Sequence, residues 1–329
     1  MKYRSRTAYV AWLGISLTCG GGTLADEPAW LPVRDQNPFV LGAGIPLLPE
    51  ALPRATDWRL DAYVAEANTR LLGSDAHTTV AYAAETRESR LAFAYAFDDD
   101  WNARLSLGTS WIGVGFLDKP IERFHDLIGA PQGYRGARLG VQPPYVRVDH
   151  DGRTLFLLNR PQLGIAPLLV DVTRTWAPSE RERFGLGAAA SIPLGDAKQL
   201  QDLGGTSIAL SAFGDWRVSE ALQTGARVGL LHLSGNDVLP ALARRNVPFA
   251  DVYARAPLWA GWDATLQYDA HGALYRDAPN FLKYAGVLSV GLSHALGARA
   301  ELLLAIGEDV PIEHTQDVVL TAALRLRSD

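Results

Sequence analysis

Hydrophobic and polar residues alternate one by one along much of this chain. In residues 261–270, GWDATLQYDA, apolar Trp262 and Leu266 alternate with polar Asp263 and Gln267. Successive side chains of a β-strand point to opposite sides, so these apolar and polar residues fall on opposite faces. Alternation over this length is typical of a strand whose two faces meet different environments. The segment therefore predicts a strand with one apolar and one hydrophilic side.

The same alternation recurs in segments that are separated by turn-forming residues such as Asp151-Gly152. It is clear in 57–64, 101–111 and 317–327, and weaker, with Gly, Ala and Ser on the second face, in 90–97, 166–176, 182–192, 205–216, 220–232, 282–294 and 297–306. Three further segments, 77–85, 144–158 and 249–257, are ambiguous. The sequence predicts roughly 11 to 15 strands.

Two architectures accommodate so many alternating strands. A soluble sandwich buries the apolar faces, whereas an outer-membrane barrel turns them to lipid and encloses polar and small residues in a lumen. The segments run to about 10 residues, close to the 9 to 11 of a tilted membrane strand and longer than the 5 or 6 usual in soluble sheets. Closing the sheet also removes unpaired edges, which lipid does not tolerate. The pattern favours an all-β, antiparallel transmembrane β-barrel of about 12 strands, within a range of 10–14.

A barrel of this kind predicts the locations of two sets of side chains. Aromatic residues near strand ends are expected at the membrane interfaces, and these are Trp58, Trp101, Trp111, Trp216, Trp262 and Tyr268. Polar residues on the second face are expected in the lumen, and the candidates are Asp57, Arg59, Asp61, Arg104, Asp263, Gln267 and Arg325.

The first residues have the composition of a secretory signal. A positive stretch, MKYRSR, precedes an apolar run at 8–17, and a small-residue site predicts cleavage after Ala25. Cleavage removes the single cysteine, Cys19, so the mature chain would contain no disulfide. The formal net charge is −5, and the chain shows no basic stripe, which argues against nucleic acid as a partner.

Residues 116–136, FLDKPIERFHDLIGAPQGYRG, interrupt the alternation. Asp118 is a suitable helix cap, Pro120 suits the first turn, and Gly129 ends the pattern. The excursion from the strands, at about 113–144, is too long for a tight turn and too apolar for a solvated loop. We therefore expect a short amphipathic helix that folds into the barrel mouth as a plug. Its polar cluster consists of Asp118, Glu122, Arg123, His125, Asp126 and Arg135.

Two segments resemble a known family. GFLDKPIERFHDLIGAPQGYRG (115–136) resembles the signature block of an uncharacterised Gram-negative outer-membrane family, domain of unknown function 3187. RDQNPFVLGAGIPLLPEA (34–51) is similar to the N-terminal block of the same family. The resemblance implies an outer-membrane β-barrel, and since the family has no assigned activity, it transfers no catalytic role. The positions that match the charged block are Asp118, Glu122, Phe124, His125, Gly129, Pro131 and Arg135.

The charged helix admits a catalytic and a structural interpretation. Glu122 and His125 share a helical face and would suit a general base or a metal. Two ligands are fewer than the three or four that a metal site needs, so ion pairing with neighbouring or lumen charges is favoured. The sequence predicts no metal and no cofactor, and it assigns no catalytic residue.

Neighbouring Ser and His residues raise the alternative of an outer-membrane lipid-modifying hydrolase. Ser293 and His294 are adjacent in a strand and should point to opposite faces. His232 and Ser234 share a face at a strand end, but no carboxylate lies near to orient the histidine, as such chemistry requires.

These features divide the chain into a signal peptide (1–25), an N-terminal extended or plug segment (26–53) and a barrel (54–329) with a helical insertion at about 113–144. We expect a protein of the Gram-negative outer membrane that acts as a partly plugged channel or binding barrel for a small or lipophilic solute, or as a structural barrel. Its partners would be that solute, outer-membrane lipid and the barrel assembly machinery. The alternatives are the lipid-modifying hydrolase and a secreted soluble β-sheet protein.

Overall fold

The computed structural model describes residues 30–47, 52, 54–129 and 144–328, without the side chains of Phe124, His125 and Ile128. The predicted signal peptide and the predicted plug residue Arg135 lie outside the described residues.

The alternating segments form the strands of one sheet, and two short helices accompany them. The strands are β1 (Trp58–Ser74), β2 (Thr78–Ala96), β3 (Trp101–Gly113), β4 (Tyr145–His150), β5 (Arg153–Leu158), β6 (Gln162–Ile165), β7 (Leu168–Ser179), β8 (Glu182–Ile192), β9 (Ser207–Ser219), β10 (Leu222–Leu233), β11 (Asn246–Pro257), β12 (Trp262–His271), β13 (Ala285–Ala295), β14 (Ala300–Asp309) and β15 (Val318–Arg327). The helices are α1 (Pro38–Leu41) and α2 (Asp118–Ile128), with 3-10 turns at Ala197–Gln199 and Asn280–Leu282.

None of the helices in the described part of the chain is long and apolar enough to cross a membrane.

Twelve strands close into an antiparallel barrel. β1 pairs with β2 on one side and with β15 on the other, where Asp61 lies opposite Arg325. Around the rest of the wall, β3 follows β2 and pairs with β7, and β7 to β15 then follow in chain order. The remaining strands stand at one end: β4 and β5 extend β2 as a hairpin, and β6 pairs with the last part of β3. The prediction of an antiparallel barrel of about 12 strands is confirmed.

The two ends of the barrel differ in their connections. At the end that we call the turn end, adjacent strands are joined by the short segments 97–100, 180–181, 220–221, 258–261 and 296–299. At the opposite end, the loop end, the longer connections leave the wall, and their described parts are 114–129, 193–206, 234–245 and 272–284. Trp58, which begins β1, and Ser328, which follows β15, meet at the turn end through Ser328 N–H and the Trp58 carbonyl, 3.0 Å apart.

The outer face of the wall is apolar and the inner face is polar. On β12, Leu266 is 50% exposed on the outside, whereas its neighbour Gln267 is 0% exposed on the inside. Leu288 and Leu324 are likewise exposed, and Arg325 is buried. A soluble β protein has the reverse arrangement, with its apolar faces packed together. The wall is therefore built to face lipid and to enclose a hydrophilic interior, as in transmembrane β-barrels.

The main apolar core caps the lumen at the loop end. Tyr82 packs on Phe281 with ring centroids 5.4 Å apart, and Phe39 of α1 packs on Phe156 and Tyr275 at 5.7 and 6.4 Å. All five rings are buried. The loop end is therefore closed by apolar packing between the loops and the N-terminal segment.

Candidate functional site: a lumen filled by the N-terminal segment

Residues 30–47, which we call the lumen segment, thread the interior of the barrel. Trp30 stacks on Tyr253 in the half nearer the turn end, with ring centroids 4.2 Å apart. The backbone N–H of Leu31 donates to the Gln267 side chain over 2.8 Å. The segment then reaches the loop end, where the Asn37 side chain caps α1 by accepting a hydrogen bond from the N–H of Phe39.

After α1 the lumen segment turns back toward the turn end. The Ser207 hydroxyl donates to the carbonyl of Ala43 over 2.6 Å. Farther on, Arg104 and Arg227 donate to the carbonyl of Leu47 over 3.2 and 3.0 Å. Leu52 then packs on Ala94 and Ala96 of β2. The segment therefore passes through the lumen twice.

A small cavity lies beside the lumen segment in the middle of the barrel. This cavity, between Val33, Asp35 and the wall residues Asp251 and His271, has a volume of about 30 Å³. That volume holds about one water molecule. This cavity therefore admits no larger solute.

The lumen segment presents one positive and one negative side chain, and each meets a partner on the wall. Arg34 binds the carboxylate of Glu88 through two nitrogens. Asp35 accepts a hydrogen bond from Thr315 and lies 2.8 Å from Nε2 of His271. All of these side chains are buried, so the Arg34–Glu88 ion pair is shielded from water and each of its charges depends on the other for compensation.

The wall charges around the lumen segment are also paired with one another. Glu88 binds Arg90 of the same strand at 2.5 Å as well as Arg34. Arg104 binds Asp171 at 3.0 Å, and Arg227 binds Asp251 at 2.5 Å. The carbonyls of the lumen segment therefore add hydrogen bonds to arginines that the wall has already neutralised.

A belt of charges lines the lumen near the turn end. Asp61 binds Arg59 and Arg325, each at 3.0 Å, and the bond to Arg325 crosses the β1–β15 seam. Arg325 also binds Glu301 at 3.1 Å, and Arg255 extends the belt to Asp263 at 2.6 Å. The belt thus links the closing seam to β14 and, across the inner surface, to β11 and β12.

The predicted lumen-facing residues lie on the inner face or at its edge. Arg59, Asp61, Arg104, Asp263, Gln267 and Arg325 all have the strand parity of the lumen side. Asp57 precedes β1 and accepts a hydrogen bond from the Ser328 hydroxyl at the turn end. Sequence reasoning missed Arg34, Asp35, Glu88, Arg227 and Asp251. Glu88, Arg227 and Asp251 lie on strands, where the alternation of inward and outward positions could have identified them as lumen-facing.

The helix that was expected to plug the mouth lies elsewhere. Asp118 at the start of α2 binds Asn68 and Arg70 of β1, at 3.0 and 2.8 Å. These two residues have the parity of the lipid-facing Val64, which is opposite to that of Arg59 and Asp61. The described contacts therefore place α2 against the outer face of the wall near the loop end, and the lumen is filled by residues 30–47 instead.

Two backbone N–H groups just before α2 hold it to the wall. Those of Phe116 and Leu117 donate to the carboxylate of Glu85, over 2.8 and 2.6 Å. Glu85 has the outward parity of β2 and is fully buried beneath this segment. Of the predicted polar cluster, Arg123 and Asp126 are exposed and Glu122 is half-buried. The His125 side chain and Arg135 lie outside the described part of the chain, so no cluster around them is defined.

The predicted interface aromatics point outward. Trp58, Trp101, Trp216 and Trp262 lie on the outer face at the turn end, and Trp111 and Tyr268 lie on the outer face nearer the loop end.

No Ser–His pair of a hydrolase forms among the described residues. Ser293 lies on the inner face beside Arg255, whereas His294 lies outside and stacks on Trp262 at 4.7 Å. His232 points outward and bonds the side chain of Asn246 at 2.8 Å. The described residues also include no cluster of three or more His, Cys, Asp or Glu side chains that would hold a metal ion.

A closed antiparallel barrel with a lipid-facing outside, a charged lumen and a chain segment threaded through that lumen is a plugged transmembrane β-barrel. The chain belongs to the family described as "Protein of unknown function (DUF3187)", whose model matches residues 23–328. The resemblance seen in the sequence is thus confirmed.

The COG4313 channel shows the same fold at low sequence identity. The barrel is similar to the COG4313 outer membrane channel from Pseudomonas putida F1, with a TM-score of 0.56 and 12% identity over 86% of this chain and 100% of that one. It also matches the NanC porin, with a TM-score of 0.49 and 10% identity over 81% of this chain and 98% of that one. A search of curated protein sequences finds no similar protein.

Proposed function

We propose that this protein is an outer-membrane channel that its own N-terminal segment closes, and that it passes or binds a small or lipophilic solute when this segment moves aside. The observation that carries the proposal is the lumen segment, which fills the interior of a complete barrel. The similar barrel from Pseudomonas putida is an outer membrane channel, which supports the assignment.

The orientation in the membrane follows from the connections. Outer-membrane barrels have short turns on the periplasmic side and longer loops outside the cell, so the turn end faces the periplasm. A signal peptide cleaved after Ala25 would deliver the chain to the barrel assembly machinery and leave a new N-terminus close to Trp30. Because Trp30 lies in the periplasmic half of the lumen, the lumen segment would enter from the periplasm.

The charge pairing of the wall allows the lumen segment to leave. A buried charge without a partner costs several kcal/mol. If the segment withdraws, however, Glu88 keeps Arg90, Arg104 keeps Asp171 and Arg227 keeps Asp251. Arg34 and Asp35 are adjacent and of opposite charge, so they leave together without changing the net charge of the lumen. Opening therefore leaves few buried charges without a partner, either on the wall or on the lumen segment.

The interior also suggests the chemistry of the solute. A solute entering from the loop end first meets the apolar cap of Phe39, Tyr275 and Phe281, and then the charged belt near the turn end. Entry through apolar packing favours a small solute with lipophilic surface over a large hydrated one. The belt would then contact any polar group that the solute carries.

A reversible tether tests the proposal directly. In the double variant Asp35→Cys, Thr315→Cys, a disulfide would bond the lumen segment to the wall, because these side chains are in hydrogen-bonding contact. The oxidised variant should show no channel conductance in planar bilayers, whereas the same protein after reduction should conduct. Equal conductance in the two states would refute the proposal.

A deletion provides the complementary measurement. A barrel that lacks residues 26–53 should conduct continuously, provided that it still shows the heat-modifiable gel shift of a folded barrel and fractionates with the outer membrane. A folded deletion variant without conductance would also overturn the proposal.

A further inference from the structure

The outer face of the wall contains an apolar groove at β15, β1, β2 and β3. Its volume is about 880 Å³, and large side chains such as Leu91, Leu107 and Leu324 form its sides. Ala62 and Ala322 also line it, and because these side chains are small, they leave the wall concave at this place. The groove lies on the lipid-facing side, where its natural contents are hydrocarbon chains.

Two tryptophans of β3 fix the height of the groove in the bilayer. Trp101 and Trp111 lie on the outer face near the two ends of the strand. With a rise of about 3.4 Å per residue and a tilt of about 40°, the strand between them spans about 25 Å along the membrane normal. That length equals the apolar band of an outer-membrane barrel, which aromatic girdles flank on both sides. Trp111 therefore lies at the headgroup level of the outer leaflet, and the groove lies below it.

A partly exposed cation stands at the same level, directly above the groove. The guanidinium of Arg87 lies over the Trp111 ring, 5.1 Å from its centroid, and the side chain is 44% exposed. Its Nε binds Glu66. Its two Nη groups form no hydrogen bond with any described residue. A planar, weakly hydrated cation of this kind binds phosphate well.

Helix α2 adds further positive charge on this side of the wall. Its first residue, Asp118, binds Asn68 and Arg70, which follow Glu66 on the same face of β1. Lys119 and Arg123 are exposed and form no ion pair with any described residue. Exposed apolar residues accompany them, namely Val114, Phe116 and Leu127. An amphipathic helix with exposed cations and apolar side chains suits the headgroup region of a membrane.

We propose that this face binds a phosphorylated glycolipid of the outer leaflet, of the lipid A type. Acyl chains lie in the groove, and a phosphate lies on Arg87, while Lys119 and Arg123 of α2 add positive charge to this side of the wall. The site requires the barrel to lie in the outer membrane, but it does not require the barrel to conduct. A failure of this inference is therefore distinguishable from a failure of the channel proposal.

The test measures lipid binding to the delipidated, folded barrel by native mass spectrometry. The probes are bis-phosphorylated lipid A, the same lipid without phosphates, and phosphatidylethanolamine. The intact protein should prefer phosphorylated lipid A by about tenfold or more, since hydrogen bonds to charged groups are among the stronger ones. The variant Arg87→Gln should lose about tenfold in affinity for that lipid alone.

Two further variants separate the groove from the charge. Ala62→Phe fills the groove and should weaken both forms of lipid A. Arg181→Gln removes an exposed arginine at the turn end and should change neither affinity. Heat-modifiability confirms that each variant is folded. The inference is overturned if Arg87→Gln binds like the parent, if removing the phosphates has no effect, or if Arg181→Gln loses as much as Arg87→Gln.

Discussion

The ion pair between Arg34 and Glu88 should set how readily the lumen opens. Replacing Arg34 by methionine keeps most of the side-chain volume but removes two charge-assisted hydrogen bonds to Glu88. Hydrogen bonds to charged groups contribute about 1.5–3 kcal/mol. Because Glu88 keeps Arg90 at 2.5 Å, the wall retains its compensation, so the loss falls on the docking of the lumen segment. Two such bonds amount to about 3–6 kcal/mol, and each 1.4 kcal/mol is a factor of ten, so the open population should rise by about 100-fold or more.

Replacing Glu88, the partner of Arg34, should have a different effect on stability. Glu88→Gln leaves both Arg34 and Arg90 facing a neutral amide in a buried site, which costs about 3–5 kcal/mol. That penalty includes Arg90, which belongs to the wall, so this variant should destabilise the barrel itself as well as the closed state.

Two measurements distinguish these effects. Open probability in planar bilayers and hydrogen exchange of residues 30–47 report on the lumen segment, whereas the urea midpoint of the heat-modifiable band reports on the barrel. Arg34→Met should change the first two and leave the midpoint nearly unchanged, and Glu88→Gln should lower the midpoint. Arg244→Met, at an exposed arginine of a loop, is the matched control. An Arg34→Met protein that exchanges and conducts like the parent, or that loses global stability instead, would refute the reasoning.

Three further outcomes are expected. Arg325→Met should lower the unfolding free energy by about 1.5–3 kcal/mol, measured in urea, because it removes the charged hydrogen bond to Asp61 across the closing seam, although Asp61 keeps Arg59; an unchanged midpoint would contradict this. Glu85→Ala should speed amide exchange in α2 by about tenfold or more without affecting the strands, because it removes the acceptor that holds this helix to the wall. The hydrogen bond to Asp151 raises the pKa of the exposed His77 above 6.5, and the same bond lowers the pKa of Asp151 below 3.8. This contact should therefore be complete between about pH 3.8 and 6.5, weaken above that window as His77 loses its proton and weaken below it as Asp151 gains one; Asp151→Asn should return the NMR titration of His77 toward its ordinary value.

The sequence by itself determined the wall of this barrel. On a strand such as β12, the residues around Leu266 and Gln267 alternate without interruption, so each face must meet a different environment. Only an arrangement with lipid on one side and an enclosed interior on the other satisfies many such strands at once. The same rule was sufficient to place Arg59, Asp61 and Arg325 inside. The same rule also applies to Glu88, because Glu88 has the same parity on β2 as the inward-facing Arg90.

The sequence offered two candidate plugs, residues 26–53 and the helical insertion, and only the tertiary structure decided which of them fills the lumen. The amphipathic pattern of α2 shows that one face must be covered, but helical periodicity does not state which surface covers it. That surface is the outer wall, because Glu85 and Asn68 have outward parity there. The lumen segment has no period at all, and its charged side chains find their partners far along the chain, Arg34 in Glu88 and Asp35 in His271. Local sequence encodes the faces of a strand because they repeat every two residues, whereas contacts between distant segments depend on closure of the barrel, which brings those segments together.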